Sequence, residues 1–380
     1  DRQRADDLAR FIEQLNTRQI ELVGVIDQPP ERDRKMFSES NDRLPAASVF
    51  DDRQVWYPAL NPVLTRLALK VRWWQIGADD DTSFMGHPDL KGKLTEILEQ
   101  VGKFGQTLHM GISWRWLNEV PATDQPPWHF LSLNANPPMT AAEIKTYRAA
   151  ERSDAAKRWL MLQPLGREDY DVETRARDLV LRMLAAKLGG VDVAFATDPF
   201  DADTGLMNED GTPGELLLPW QTSAHLISGT EYLGEIIMPG GSHNHILTRG
   251  DQAIMVVWNE NETEEVINLG APEEIEHIDL WGHAKRPAAK KHRQVYQVGP
   301  LPSFITGISR DMARWRMNFK FVDSKLQSMY GRPQYPRFQM LNPFQQAAGG
   351  HMRIKTPSMW GEPPPPLRVN LSGGATRIER

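Results

Sequence analysis

Two spacings of apolar residues alternate along the first part of the chain. Leu8, Phe11, Ile12 and Leu15 recur on one helical face and predict a helix over Ala5 to Arg18. A short apolar run, Ile20 to Ile26, predicts a buried strand, and Asp27 to Asp52 is polar and proline-rich and reads as a long loop. The same alternation then repeats. A helix over Val55 to Leu69, interrupted by Pro58 and Pro62, precedes a strand over Val71 to Ile76 that ends in Gly77-Ala78-Asp79-Asp80-Asp81. A helix over Leu90 to Phe104 precedes a strand over Thr107 to Ile112, ending at Ser113-Trp114-Arg115-Trp116. His129 to Leu133 is a strand that ends at Asn134-Ala135-Asn136. Thr140 starts a helix to about Arg152, with Glu143 as its capping-box partner. Trp159 to Leu162 is a strand ending at Gln163-Pro164. The helix Val172 to Leu188 stops at Gly189-Gly190, and Val191 to Ala196 is the last strand of the series.

Strands alternating with helices imply parallel pairing through right-handed crossovers. The pattern holds six such strands, and a closed (β/α)8 barrel needs eight. The chain opens at Asp1 on a charged amphipathic helix with no initiator Met. The expected fold is therefore an α/β (β/α)8 TIM barrel lacking its first two strands. An open doubly wound sheet is the alternative.

From about Tyr232 the pattern changes. After a helix over Leu217 to Ile227, short alternating segments such as Ala253 to Trp258, Glu265 to Leu269 and Gln294 to Val298 predict an antiparallel β-sandwich ending near Ile308. A helix over Arg310 to Lys325 follows. The tail has strand signals at His351 to Lys355 and Leu367 to Leu371, and the run Pro363-Pro364-Pro365-Pro366. The expected domains are 1–229 (partial barrel), 230–308 (β-sandwich), 309–336 (linker and helix) and 337–380.

Bulk properties narrow the function. A chain of 380 residues exceeds one typical core and suggests two or three domains. A net charge of −6 gives no global nucleic-acid footprint, and the basic runs at Lys285-Arg286 and Lys290-Lys291-His292-Arg293 read as solvated loop. With no cysteine, disulfides and thiolate chemistry are excluded. No apolar run approaches the ~18 residues of a membrane span. His243-x-His245 has no third ligand nearby and reads as a surface pair, and the aspartates at 79–81 lack the spaced pattern of a calcium loop. No metal and no cofactor is expected.

In a barrel, chemistry sits at the carboxyl ends of the strands. The residues there are Asp27 and Gln28, Asp79 to Asp81, Trp114 and Trp116, Asn134 and Asn136, Gln163, and Asp198 with Asp201. Polar side chains with tryptophans suit a polyhydroxylated ligand, because indole faces stack on the apolar face of sugars.

The stretch 191–258, where a buried parallel strand gives way to a helix and then to exposed alternating strands, resembles the seam of a clan A-like (β/α)8-barrel glycoside hydrolase with its C-terminal β-sandwich. Leu341-Asn342-Pro343, Gly350 and Ser358-Met359-Trp360 resemble the start of an immunoglobulin-like accessory domain. Trp73-Trp74-Gln75-Ile76-Gly77-Ala78-Asp79 is similar to the strand-four motif of those enzymes, aromatic-x-Ile-Gly-Asn-Glu. The resemblance implies Asp79 at the acid/base position and Gln163, after Leu160-Met161-Leu162, at the nucleophile position of strand seven. Asp27, Trp114, Trp116, Asn134, Asn136 and Asp198 would contact the sugar. The departures are chemical. Asp is one methylene shorter than Glu, Ala78 removes the side chain that contacts the 2-hydroxyl, and a neutral amide forms no covalent glycosyl intermediate. Asp80, Asp81, Glu119 or Asp198 are the residues that could supply a second carboxylate. The expectation is a glycoside-hydrolase-like protein that acts on or recognises an oligo- or polysaccharide. The alternative is a non-catalytic carbohydrate-binding or scaffolding protein. A polysaccharide ligand implies an extracytoplasmic or secreted protein; oligomeric state is open.

Overall fold

The computed structural model describes residues 2–37, 43–104, 108–121, 123, 125–135, 137–147, 156–322, 337–353 and 365–379. The chain forms two compact units. One comprises Asp1–Tyr170 with Leu181–Gly214, the other Asp171–Val180 with Glu215–Arg380.

The first unit starts with helix α1 (Arg2–Thr17) and strand β1 (Val23–Ile26), then the short helix α2 (Ala46–Val49) and α3 (Arg53–Leu67). Strand β2 (Trp73–Ile76), helix α4 (Leu90–Val101) and strands β3 (His109–Arg115) and β4 (Phe130–Asn134) follow. Helix α5 (Ala141–Thr146), strand β5 (Lys157–Leu162), helix α6 (Val172–Leu188) and strand β6 (Val193–Ala196) complete the alternation.

The six strands form one sheet in the order β1-β2-β3-β4-β5-β6, and every pair is parallel. A doubly wound sheet reverses direction at a switch point. This order never reverses, so the sheet is a partial (β/α) barrel and the doubly wound alternative is set aside. One sheet face carries Trp74, Ile76, Met110, Ile112, Trp114, Leu131, Leu133, Leu160 and Leu162, all buried. The opposite face carries a ladder of rings. Trp73 stacks on His109 at 4.2 Å, Phe130 stacks on Trp159 at 3.6 Å, and Trp159 meets Phe195 at 5.3 Å. The Lys157 ammonium sits 4.7 Å from the Trp73 ring centroid, within cation–π range. Gly111 is required there: a Cβ would lie 2.4 Å from the Phe130 ring.

Local expectations hold where a side chain closes a backbone group. Thr140 and Glu143 form the capping box of α5. Residues 148–152 of the expected helix lie outside the described residues. The long loop 27–52 is more structured than its composition implies. A 3-10 turn spans Glu31–Met36, and α2 is held by the Asp81 carboxylate, which accepts from the Ala46 amide at 2.7 Å.

The second unit takes the first part of α6, up to Val180, and helix α7 (Leu217–Ile227), whose bounds match the sequence reading. Strands β7 (Glu231–Gly234), β8 (His243–Arg249), β9 (Gln252–Trp258), β10 (Thr263–Ile267), β11 (Glu276–Ile278), β12 (Ala284–Lys285), β13 (Ala288–Lys290), β14 (Arg293–Val298) and β15 (Ser303–Ser309) form two antiparallel sheets. Their orders are β12-β11-β15-β9-β8-β7 and β10-β14-β13. Met255, Val257, Ile305 and Ile308 of the larger sheet share a core with Ile267, Tyr296 and Val298 of the smaller, which makes a β-sandwich. Glu265, fully buried, is satisfied by the amides of Gly240 (2.7 Å) and Ser242 (3.0 Å).

Helix α8 (Arg310–Met317) is shorter than the sequence predicts. It stops at Asn318, whose side chain donates to the Arg314 carbonyl, and β16 (Lys320–Phe321) follows. Strands β17 (Phe338–Leu341), β18 (Ala348–Met352), β19 (Leu367–Leu371) and β20 (Thr376–Glu379) form the sheets β16-β17-β20 and β18-β19. Asn342 ties them together. Its buried amide donates to the carbonyls of Gln346, Leu371 and Ser372, and its oxygen accepts from the Phe344 amide. Ser358, Met359 and Trp360 lie outside the described residues.

Candidate functional site

A cleft of about 800 Å3 opens at the carboxyl ends of the parallel strands. Asp79, Asn134, Gln163 and Asp198 all line it, together with Asp80 and Asp201. The segments after β2, β4, β5 and β6 therefore meet, as an active-site-like arrangement requires.

Asp79 is held through both its backbone carbonyl and its carboxylate. Gly77, at φ +83°, turns the chain after β2 in a conformation that suits glycine. The Asp79 backbone carbonyl accepts from the Ser113 hydroxyl and the Asn134 amide, and Asn134 also donates to the Ser113 hydroxyl at 2.8 Å. The Asp79 carboxylate accepts from buried Gln75 at 2.9 Å. Gln75, Ser113 and Asn134 lie on one sheet face because their positions alternate in register along β2, β3 and β4.

The neighbouring aspartates have other partners. Asp80 and Asp27 share Arg43, each at 3.2 Å, which places Asp27 beside the cleft rim without lining it. Asp81 caps α2, and Gln28 clamps residue 44 by accepting from its amide at 2.9 Å and donating to its carbonyl at 2.8 Å. Gln163 is exposed, and its side chain has no protein hydrogen bond among the described residues. Asp198 takes a positive φ of 31°, an uncommon backbone for a non-glycine residue. The Asp201 carboxyl sits below the usual carboxylate range because the Thr204 amide and hydroxyl, and then the Asp203 amide, donate to it.

Two expected sugar contacts need correction. Trp114 and Trp116 are only 3% and 1% exposed and offer no ring face to a ligand. The strand β3 runs on to Arg115, so alternation sends Ser113 and Arg115 to the cleft side and Trp114 to the opposite side. The indole of Trp116 donates to the Tyr147 carbonyl at 2.9 Å. Arg115 lines the cleft instead. Carrying the strand three residues further would have found it. Asn136 lies outside the described residues. Buried Arg182 also lines the cleft. Its place within α6 gives no hint of this in the sequence.

The histidines at 243 and 245 do not act as a pair. His243 is exposed against Trp258, whereas His245 is buried and contacts the Glu235 carboxylate at 3.0 Å. Among the described residues no group of three or more His, Asp or Glu side chains could hold a metal ion, and no helix is long and apolar enough to cross a membrane.

No protein-family model matches the chain, and no curated protein sequence does. Solved structures do. A family 39 glycoside hydrolase from the gut symbiont Bacteroides cellulosilyticus WH2 matches with a TM-score of 0.54 over 79% of this chain and 70% of its own, at 12% identity. A family 51 α-L-arabinofuranosidase matches over 79% and 56% at a TM-score of 0.49 and 9% identity. A family 30 endoxylanase from Clostridium papyrosolvens C71 matches over 80% and 70% at 0.41 and 9%. The first of these carries the comparison. At 12% identity it shows the fold, a glycoside-hydrolase-like partial (β/α) barrel followed by a β-sandwich.

Proposed function

We propose that the cleft recognises an oligo- or polysaccharide and has lost retaining hydrolysis. One observation carries this reading. Asp79 and Gln163, at the positions of acid/base and nucleophile in the resemblance, line one cleft, and the second is an amide. A retaining glycosidase needs a carboxylate there to form its covalent intermediate. What remains is a rim of acceptors and donors around about 800 Å3, within the ~300–1,000 Å3 typical of ligand pockets. Asp79, Asn134, Gln163 and Asp198 are the proposed sugar contacts, with Asp27 acting through Arg43. A polysaccharide ligand argues for a protein that works outside the cytoplasm.

A second reading is hydrolysis by an altered carboxylate pair. In its favour, Asp198 lines the same cleft as Asp79. The test that separates the two is Gln163→Glu, alone and with Asp79→Glu, assayed on aryl glycosides. The proposal expects an inactive parent and a gain of activity in the double variant. Activity in the parent that disappears in Asp198→Asn supports the second reading instead.

A further inference from the structure

A separate cavity of about 460 Å3 lies wholly within the C-terminal unit. Its floor is apolar, built from Ile236, Ile267 and Val369. Arg293 at the start of β14 and Arg316 on α8 line it, and among the described residues no Asp or Glu does. Arg316 donates its Nε to the Asn268 carbonyl at 2.8 Å. Neither arginine has an ion pair with a carboxylate among the described residues. Burial holds the Arg316 guanidinium below its usual pKa, and the charge of Arg293 acts in the same direction. Two like charges beside an apolar floor are unfavourable without a counter-ion, so an anion is the ligand that complements the cavity.

The walls say more about its shape. Trp315 and Phe319, with ring centroids 4.6 Å apart, add aromatic surface. Strand β18 also lines the cavity, with Ala348, Gly349 and Gly350, and a Cβ on Gly350 would meet nothing within 4 Å. A mineral anion uses none of that apolar surface. A ring with a carboxylate at its edge uses both, because guanidinium groups bind carboxylates and aromatic faces stack on sugar C–H groups.

We infer that this groove binds a carboxylate-bearing sugar, a uronic acid unit of an acidic glycan, with Arg293 and Arg316 on the carboxylate and Trp315 against the ring. The choice of a sugar over another organic anion rests on the carbohydrate reading of the cleft. The anionic class rests on the groove alone.

The experiment is titration calorimetry of the full chain with trigalacturonate, neutral maltotriose and inorganic sulfate. Arg293 is exposed, so Arg293→Gln leaves the fold intact. The expected result is binding of trigalacturonate that weakens with added salt and falls about tenfold in Arg293→Gln. Trp315→Leu weakens it as well, whereas the cleft variant Gln163→Ala does not. Trigalacturonate binding that survives while neutral xylo-, cello- and malto-oligosaccharides all fail to bind refutes the cleft reading and leaves the groove standing. No binding of trigalacturonate, equal binding of sulfate, or binding unchanged by Arg293→Gln overturns the proposal.

Discussion

The amide of Gln75 donates to the carboxylate of Asp79 at 2.9 Å and to the carbonyl of Gly77 at 3.1 Å, from a position buried in the sheet. One side chain thus fixes both the turn after β2 and the acid that the turn presents. A carboxylate held this way is a preorganised acceptor for a sugar hydroxyl.

Replacing the donor tests that role. Gln75→Leu keeps the volume and removes both hydrogen bonds. The expected outcome is about tenfold weaker sugar binding at the cleft, with about 1–2 kcal/mol lost from stability. Calorimetric titration and urea unfolding read the two effects separately, and unchanged affinity would show that the Asp79 tether is dispensable.

The ring ladder beneath the cleft is expected to dominate the stability of the sheet. Trp159 touches Trp73, Phe130 and Phe195, with centroids 5.2, 3.6 and 5.3 Å away. Trp159→Ala should cost about 3–5 kcal/mol in denaturant unfolding. A cost below about 1 kcal/mol would mean that the ladder is not packed as described.

In the sandwich, the Tyr296 hydroxyl is buried in the core with no protein partner among the described residues, and burial raises its pKa. Desolvating a hydroxyl without compensation is unfavourable. Tyr296→Phe is therefore expected to raise stability by about 1 kcal/mol, read as a higher urea midpoint at an unchanged m-value. A lower midpoint would reveal a partner for the hydroxyl.

His277 makes the sandwich sensitive to acid. Burial, then the charge of Lys285, lowers its pKa from 6.5 to about 4, and its Nε2 lies 2.8 Å from the Ser303 hydroxyl. The folded pKa is below the unfolded one, so below pH 6.5 the unfolded chain takes up a proton that the folded chain refuses. Stability is full above about pH 6.5 and declines by up to about 3 kcal/mol as pH falls to about 4. Burial lowers the pKa of His109 and His129 as well, so unfolding measured across that window should show a shallower slope in His277→Leu than in the parent. Equal slopes would assign the acid sensitivity elsewhere.

Much of this fold was legible in the sequence because its signals are local. Strand–helix alternation, the cap at Thr140 and the helix Leu217–Ile227 depend on residues a few positions apart. The site was less legible because its geometry depends on strand length and distant partners. Stopping β3 at residue 112 hid the alternation that turns Trp114 away and Arg115 toward the cleft. The three aspartates at 79–81 look alike in sequence, yet their partners, Gln75, Arg43 and the Ala46 amide, differ in kind. Two of those partners are 37 and 35 residues away. Arg182 reaches the cleft from within a helix, where nothing in the local pattern marks it.

The most direct test of a sugar-binding cleft without hydrolysis is calorimetric titration with neutral xylo-, cello- and malto-oligosaccharides, followed by a reducing-sugar assay on each mixture. At least one series should bind, weaken about tenfold in Asn134→Ala or Gln163→Ala, and release no new reducing ends. Failure of every series to bind, or reducing ends released by the parent and abolished by Asp79→Asn, would contradict the account.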